Sequence, residues 1–161
     1  MKKLSFILAF VFIFPAMSAL AQAANLPFKL ALGDDVATVK SKLGTNIDPE
    51  PMPRNPVLPA AAPDVNRGKT ILHLRTKGVW AFFDKDGKLE IIRLDAPFNG
   101  DVRGVKLGDD ENKLIATVGK PITKPTSAFM NTMAYRYVWD DSAYLTFDVS
   151  DDGVQYIFIT K

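Results

Sequence analysis

The chain has 161 residues, with 20 basic and 18 acidic side chains, one histidine and no cysteine. Absence of cysteine excludes disulfide staples, thiol catalysis and zinc–thiolate sites. A charge this close to neutral offers nothing for nucleic acid or an anionic membrane to hold.

The first stretch reads as a secretory signal peptide. Met1-Lys2-Lys3 is basic, Leu4 to Met17 is apolar, and Ser18-Ala19-Leu20-Ala21-Gln22-Ala23 is a small-residue exit. The apolar run is short for a membrane span and carries Pro15. Cleavage after Ala23 is expected, which removes Lys2 and Lys3 and brings the basic and acidic counts level. A protein without cysteine has no thiol for a lipid anchor. The expected product is therefore one domain, residues 24–161, periplasmic or secreted and not inserted in a membrane.

Leu32-Gly33-Asp34-Asp35 opens the first element. Asp34 or Asp35 is placed to cap a helix. Val36, Val39 and Leu43 follow at spacings of three and four, so they share one face of a short helix that Gly44 ends. From Thr45 to Lys69 the chain is irregular: Pro49, Pro51, Pro53, Pro56, Pro59 and Pro63 are six of its eleven prolines. That density forbids helix and inner strand. The segment reads either as a stiff surface loop or as an exposed recognition arm.

Three strands are expected next, over residues 70–76, 79–84 and 89–94. Alternation puts Leu72, Leu74, Val79, Ala81, Phe83, Ile92 and Leu94 on one face. Asp84-Lys85-Asp86-Gly87-Lys88 is a hairpin turn, and residues 95–103 form a linker. Then the order returns. Leu107-Gly108-Asp109-Asp110 lies 75 residues after the first such tetrapeptide, and a second helix follows with Leu114, Ile115 and Val118 inward, closed by Gly119 and Pro121. Strands are expected over 133–139, 143–149 and 154–160, with Val138, Ala143, Leu145, Phe147, Ile157 and Ile159 toward the core.

Self-similarity at a fixed offset implies a duplicated unit. The expected fold is α+β, with two tandem helix–strand–strand–strand repeats (28–95 and 104–161). They pool into one antiparallel sheet with both helices on one face. The same alternation gives the opposite face an unusual composition, where a solvated face should be polar. It gathers His73, Arg75, Trp80, Phe82, Tyr135, Tyr137, Trp139, Tyr144 and Tyr156, with Ile91, Arg93 and Phe158 beside them. Aromatic residues in such numbers point to a protein-binding surface. The competing reading is that the faces are exchanged, or that the proline-rich segment covers this one as a second core.

No catalytic constellation accompanies it. His73 has no cysteine to pair with, and no Gly-x-Ser-x-Gly elbow occurs. The paired aspartates stand where a phosphate would need donors, so they read as helix caps. Asp84 to Gly87 and Asp148 to Gly153 are acidic hairpin turns between strands, without the helical flanks and closing glutamate of a calcium loop. No catalytic residue, metal site or cofactor is expected.

The doubled Leu-Gly-Asp-Asp with its closing glycine, seen at Gly33 to Gly44 and Gly108 to Pro121, resembles the beta-lactamase inhibitor protein-like tandem-repeat fold. A single unit is similar to the small lipoproteins of the outer-membrane barrel-assembly machinery. The inhibitor's disulfides and the lipoproteins' acylated cysteine are absent here. The resemblance implies a protein-binding module. The functional expectation is an exported, non-catalytic binder of inhibitor or immunity type, which neutralises an enzyme or toxin through the aromatic face. The alternative is a periplasmic envelope assembly or structural factor.

Overall fold

The structure is a computed structural model that describes residues 26–59 and 61–161; the expected signal peptide, residues 1–23, lies outside them. Among the described residues the fold is α+β: two α-helices and an antiparallel sheet of eight strands. In chain order the elements are α1 (Val36–Leu43), β1 (Glu50–Pro51), β2 (Thr70–Leu74), β3 (Val79–Phe83), β4 (Leu89–Leu94), β5 (Asp101–Val102), β6 (Val105–Lys106), α2 (Glu111–Val118), β7 (Thr126–Ser127), β8 (Met133–Asp140), β9 (Ala143–Ser150) and β10 (Gly153–Thr160). The large sheet runs β1-β2-β3-β4-β10-β9-β8-β7, and β5 with β6 forms a separate hairpin. Two meanders thus meet where β4 pairs with β10. Among the described residues no helix is long and apolar enough to cross a membrane.

Each helix has eight residues, too few to persist alone in water. Both are fixed by the same two devices. Asp35 Oδ1 accepts from Thr38 N at 2.8 Å, and Asp110 Oδ1 from Lys113 N at 2.7 Å, so each cap satisfies a free first-turn amide. The preceding aspartates tighten the turn before the cap: Asp34 Oδ2 accepts from Ala31 N, and Asp109 Oδ2 from Lys106 N. The backbone then ties each helix start to a central strand. Gly33 N donates to Leu89 O and Leu89 N to Asp34 O; Gly108 N donates to Val154 O and Val154 N to Asp109 O. The acidic pairs therefore do structural work, one member capping and one bracing.

Val39, Leu43 and Leu114 bury against Leu72, Ala81, Phe83, Ile92, Leu145, Phe147, Ile157 and Ile159 in one core. The hairpin aspartate Asp84 likewise serves the backbone, accepting from Asp86 N and Lys88 N. Two expected loops hold short edge strands instead. β1 interrupts the proline-rich segment and β7 the segment after α2. Each has two residues, and Pro51 sits in one of them, so neither edge presents a long ladder of free amides to another chain. The expected linker 95–103 also carries structure, because Arg103 and Gly104 both have positive φ and close the β5–β6 hairpin.

One strand is inverted relative to expectation. Tyr135 and Tyr137, expected on the outward face, are inward and only 6% and 4% exposed, while Val138, expected in the core, is 48% exposed. Trp139 packs against the core cluster, with the Arg103 guanidinium 4.9 Å from its ring and bonded to its carbonyl. The cause is a bulge between Val138 and Asp140. Asp140 pairs with Ala143, and uninterrupted counting would set Trp139 against Tyr144. The bulge sets Val138 there, Tyr137 against Leu145 and Tyr135 against Phe147. A slip of one residue exchanges the faces of a strand.

Burial of the two tyrosines is made tolerable by their hydroxyls. Tyr137 donates to Gly119 O at the end of α2, and Tyr135 bonds Glu111 at its start. Burial first, and then the Glu111 carboxylate, push the Tyr135 phenol up to about 12.

Candidate functional site

With β8 corrected, the outward face is defined by cross-strand rows. One row reads His73, Trp80, Arg93, Phe158, Thr146 and Arg136 across β2, β3, β4, β10, β9 and β8. The next reads Ile71, Phe82, Ile91, Thr160, Tyr144 and Val138. Directly opposed side chains on one face lie close enough to stack. Here they do. The His73 and Trp80 rings are 3.3 Å apart between centroids and inclined by 15°, and Phe82 lies 6.4 Å from Trp80 at the same inclination.

Arg93 fills the centre of the face. Its guanidinium lies 4.8 Å from the Trp80 ring and 4.6 Å from the Tyr156 ring, held between two π faces. Asp95 fixes both partners, accepting from Arg93 Nη2 at 2.6 Å and from Trp80 Nε1 at 2.9 Å. The sequence alone placed Arg93 on this face but assigned Asp95 to a linker. The side-chain amine Nε of Arg93 is buried without a hydrogen-bond partner among the described residues. Asp148, also outward and opposite Tyr156, is almost completely buried; burial raises its pKa, and Arg93 partly opposes the rise. The ladder His73–Trp80–Arg93–Tyr156 is therefore a preorganised object. Its members are half-buried and already hold one another in place.

The remaining expected site residues divide. Arg75 is exposed in the 3-10 turn Arg75–Lys77 that joins β2 to β3. Tyr144 is 37% exposed and carries the Arg136 guanidinium 4.0 Å above its ring. Tyr156 lies in the ladder, at 6.3 Å from Phe158. So His73, Trp80, Phe82, Tyr144 and Tyr156 share the outward face with Arg75 at its rim, whereas Tyr135, Tyr137 and Trp139 belong to the other side.

At the β2 edge a pocket of about 320 Å³ opens beside this face. Ile71, His73, Arg75 and Trp80 line one side, and Ile47, Asp48, Glu50, Pro51 and Pro53 the other. The proline-rich segment thus walls the edge of the face, and β1 holds it there through Glu50 opposite Ile71. No sequence signal joins residues so far apart along the chain; only the pairing of β1 with β2 does.

His73 is shifted in a direction that can be measured. Desolvation lowers its pKa below 6.5, Asp95 acts against the shift, and Arg75 and Arg93 reinforce it. A lowered folded-state value means that the neutral ring is favoured by folding. Its contribution is present above pH 6.5 and fades as pH falls through the folded value. An NMR titration of the His73 ring should give a midpoint under 6.5, and His73→Phe should flatten the fall in melting temperature below that pH. A midpoint above 6.5 would contradict this environment.

No protein-family model matches the chain, and no curated protein matches it. A solved structure with which it aligns is a DUF4309 family protein from Bacillus subtilis, at 16% identity and a TM-score of 0.46, over 79% of this chain and 78% of that one.

Proposed function

We propose that this protein is an exported, non-catalytic binding module that grips another protein through its outward sheet face and neutralises an enzyme or toxin by occupying it. The observation that carries the reading is the stacked ladder His73–Trp80–Arg93–Tyr156 on a sheet face whose members stay outside the apolar core. Aromatic and arginine side chains that are already ordered lose little entropy on binding, which is what a hot spot requires. Phe82 and Tyr144 extend the surface along the next row, and exposed Val57 and Val65 of the proline-rich segment offer a second contact.

The architecture behind this face is a duplicated unit, residues 28–95 and 104–161, each contributing a helix to one side and, to the sheet, three longer strands and a two-residue edge strand. The equivalent caps at Asp35 and Asp110 and the equivalent bonds to Leu89 and Val154 support it. The basic, apolar and small-residue order of residues 1–23 supports export.

Affinity capture tests the reading. The mature chain, immobilised and exposed to envelope and culture extracts, should retain one exported protein, and adding the chain to that protein should suppress its activity. Retention of nothing beyond a blank matrix would remove the proposal.

A further inference from the structure

The ladder on the outward face stops at His73. One face of its ring is taken by Trp80 on β3. On the other side of β2 runs the segment that carries β1, and between that segment and His73 lies the pocket of about 320 Å³. A volume at the low end of the ligand-pocket range has room for a single ring system.

Its walls suit a flat apolar group. Pro51 and Pro53 are rigid and donate no amide hydrogen bond, so the far wall is stiff and poor in donors. Ile47 lines the same side and is 53% exposed, a large apolar side chain left uncovered at the mouth. Asp48 is occupied by Lys40, at 2.5 Å. Arg75 and Glu50 are the two exposed charges left at the rim, and neither forms an ion pair among the described residues. One cation and one anion flanking an apolar slot select against a net charge. They suit a ring carried on a polar, uncharged backbone.

We propose that this pocket receives an aromatic side chain of the partner protein, which lies on the free face of His73 and extends the stack His73–Trp80–Arg93–Tyr156 by one ring. The proposal rests on the protein-binding reading above and names the contact that reading lacks. Offset stacking of such a ring adds to the area it buries. The cost of ordering the slot is already met by the ladder and by the prolines.

The test uses the mature chain and three probes: N-acetyl-tryptophanamide, N-acetyl-leucinamide and free indole. N-acetyl-tryptophanamide should produce saturable NMR shifts at the Ile47 and Ile71 methyls and the His73 ring. Binding should weaken at least tenfold in His73→Ala and return in His73→Phe, with melting curves confirming that both variants fold. Ile47→Ser, at an exposed position, should weaken it without touching the ladder. N-acetyl-leucinamide should not saturate over the same range.

Equal binding of the leucine probe, or unchanged binding in His73→Ala, would overturn the proposal. Indole binding tenfold tighter than N-acetyl-tryptophanamide would assign the slot to a free heterocycle and overturn it too. Failure of every probe while partner capture persists would reject the pocket and spare the face. Probe binding with no protein captured would reject a partner as the source of the ring.

Discussion

Tyr137→Ala is expected to lower the free energy of unfolding by about 3–5 kcal/mol, the range for removing a large buried ring from a packed core. Tyr137 is inward, edge-on to Phe147 at 5.9 Å, and its hydroxyl is bonded to Gly119 O at the end of α2. The substitution opens a cavity and frees that carbonyl. Tyr137→Phe isolates the hydrogen bond and should cost about 1 kcal/mol. Tyr144→Ala, on the other face two strand positions from the hairpin, should change stability by about 0.5 kcal/mol or less. Urea unfolding of the three variants measures the contrast. Similar losses for Tyr137→Ala and Tyr144→Ala would mean that β8 is not phased by its bulge.

The second large effect is expected at Gly78, which ends the turn between β2 and β3. Its φ of +61° is costly for any residue with a side chain, and a Cβ there would lie 2.0 Å from Asp95 O and 2.5 Å from Phe98 N, both backbone atoms. The left-handed conformation costs about 1–2 kcal/mol and overpacking about 1–3 more, so Gly78→Ala should lose roughly 2–5 kcal/mol. Gly44→Ala is the control. Its φ is +62° and nothing lies within 4 Å, so only the conformational cost applies. The consequence at Gly78 reaches the proposed site. Asp95 N donates to Gly78 O, and the Asp95 carboxylate holds Trp80 and Arg93. Near-ultraviolet dichroism of Gly78→Ala should therefore lose the Trp80 contribution, while Gly44→Ala keeps it. Equal losses for the two glycine variants would show that Asp95 yields easily.

The helices and six of the longer strands were legible because each has a simple period and punctuated ends. Asp35 and Gly44, or Asp110 and Gly119, bracket one apolar stripe, and the hairpin glycines mark the strand limits. The faces of β2, β3, β4, β9 and β10 followed from alternation of residues such as Leu72, Ala81 and Phe147 with His73, Trp80 and Thr146. β8 failed because alternation carries no record of a bulge, and tyrosine satisfies a buried or an exposed position equally well. Pairing offered a signal that periodicity did not: once Leu145 and Phe147 are inward, whatever opposes them is inward. Edge strands of two residues are too short to show a period at all. The pocket was illegible for another reason, since it exists only where Ile47 to Pro53 return beside Ile71 and His73.

These corrections narrow the surface. A face read as nine anchors becomes a self-stacked ladder with an exposed flank at Tyr144, Val138 and Arg136, and three of the aromatic residues move to the helix side. The Leu-Gly-Asp-Asp segments set the geometry without forming a site, because both carboxylates of each are spent on backbone amides and, at Asp34, on Lys42.

The central claim is that the outward face binds a protein, and titration calorimetry of the captured partner tests it most directly. Tyr144→Glu and Arg136→Glu, both at exposed positions on the flank of the ladder, should each weaken binding by about 2 kcal/mol, roughly thirtyfold, as hot-spot contacts of an interface do. Tyr135→Phe, on the helix side, should bind like the unaltered protein. Unchanged affinity in both outward variants, with their melting temperatures preserved, would contradict the account.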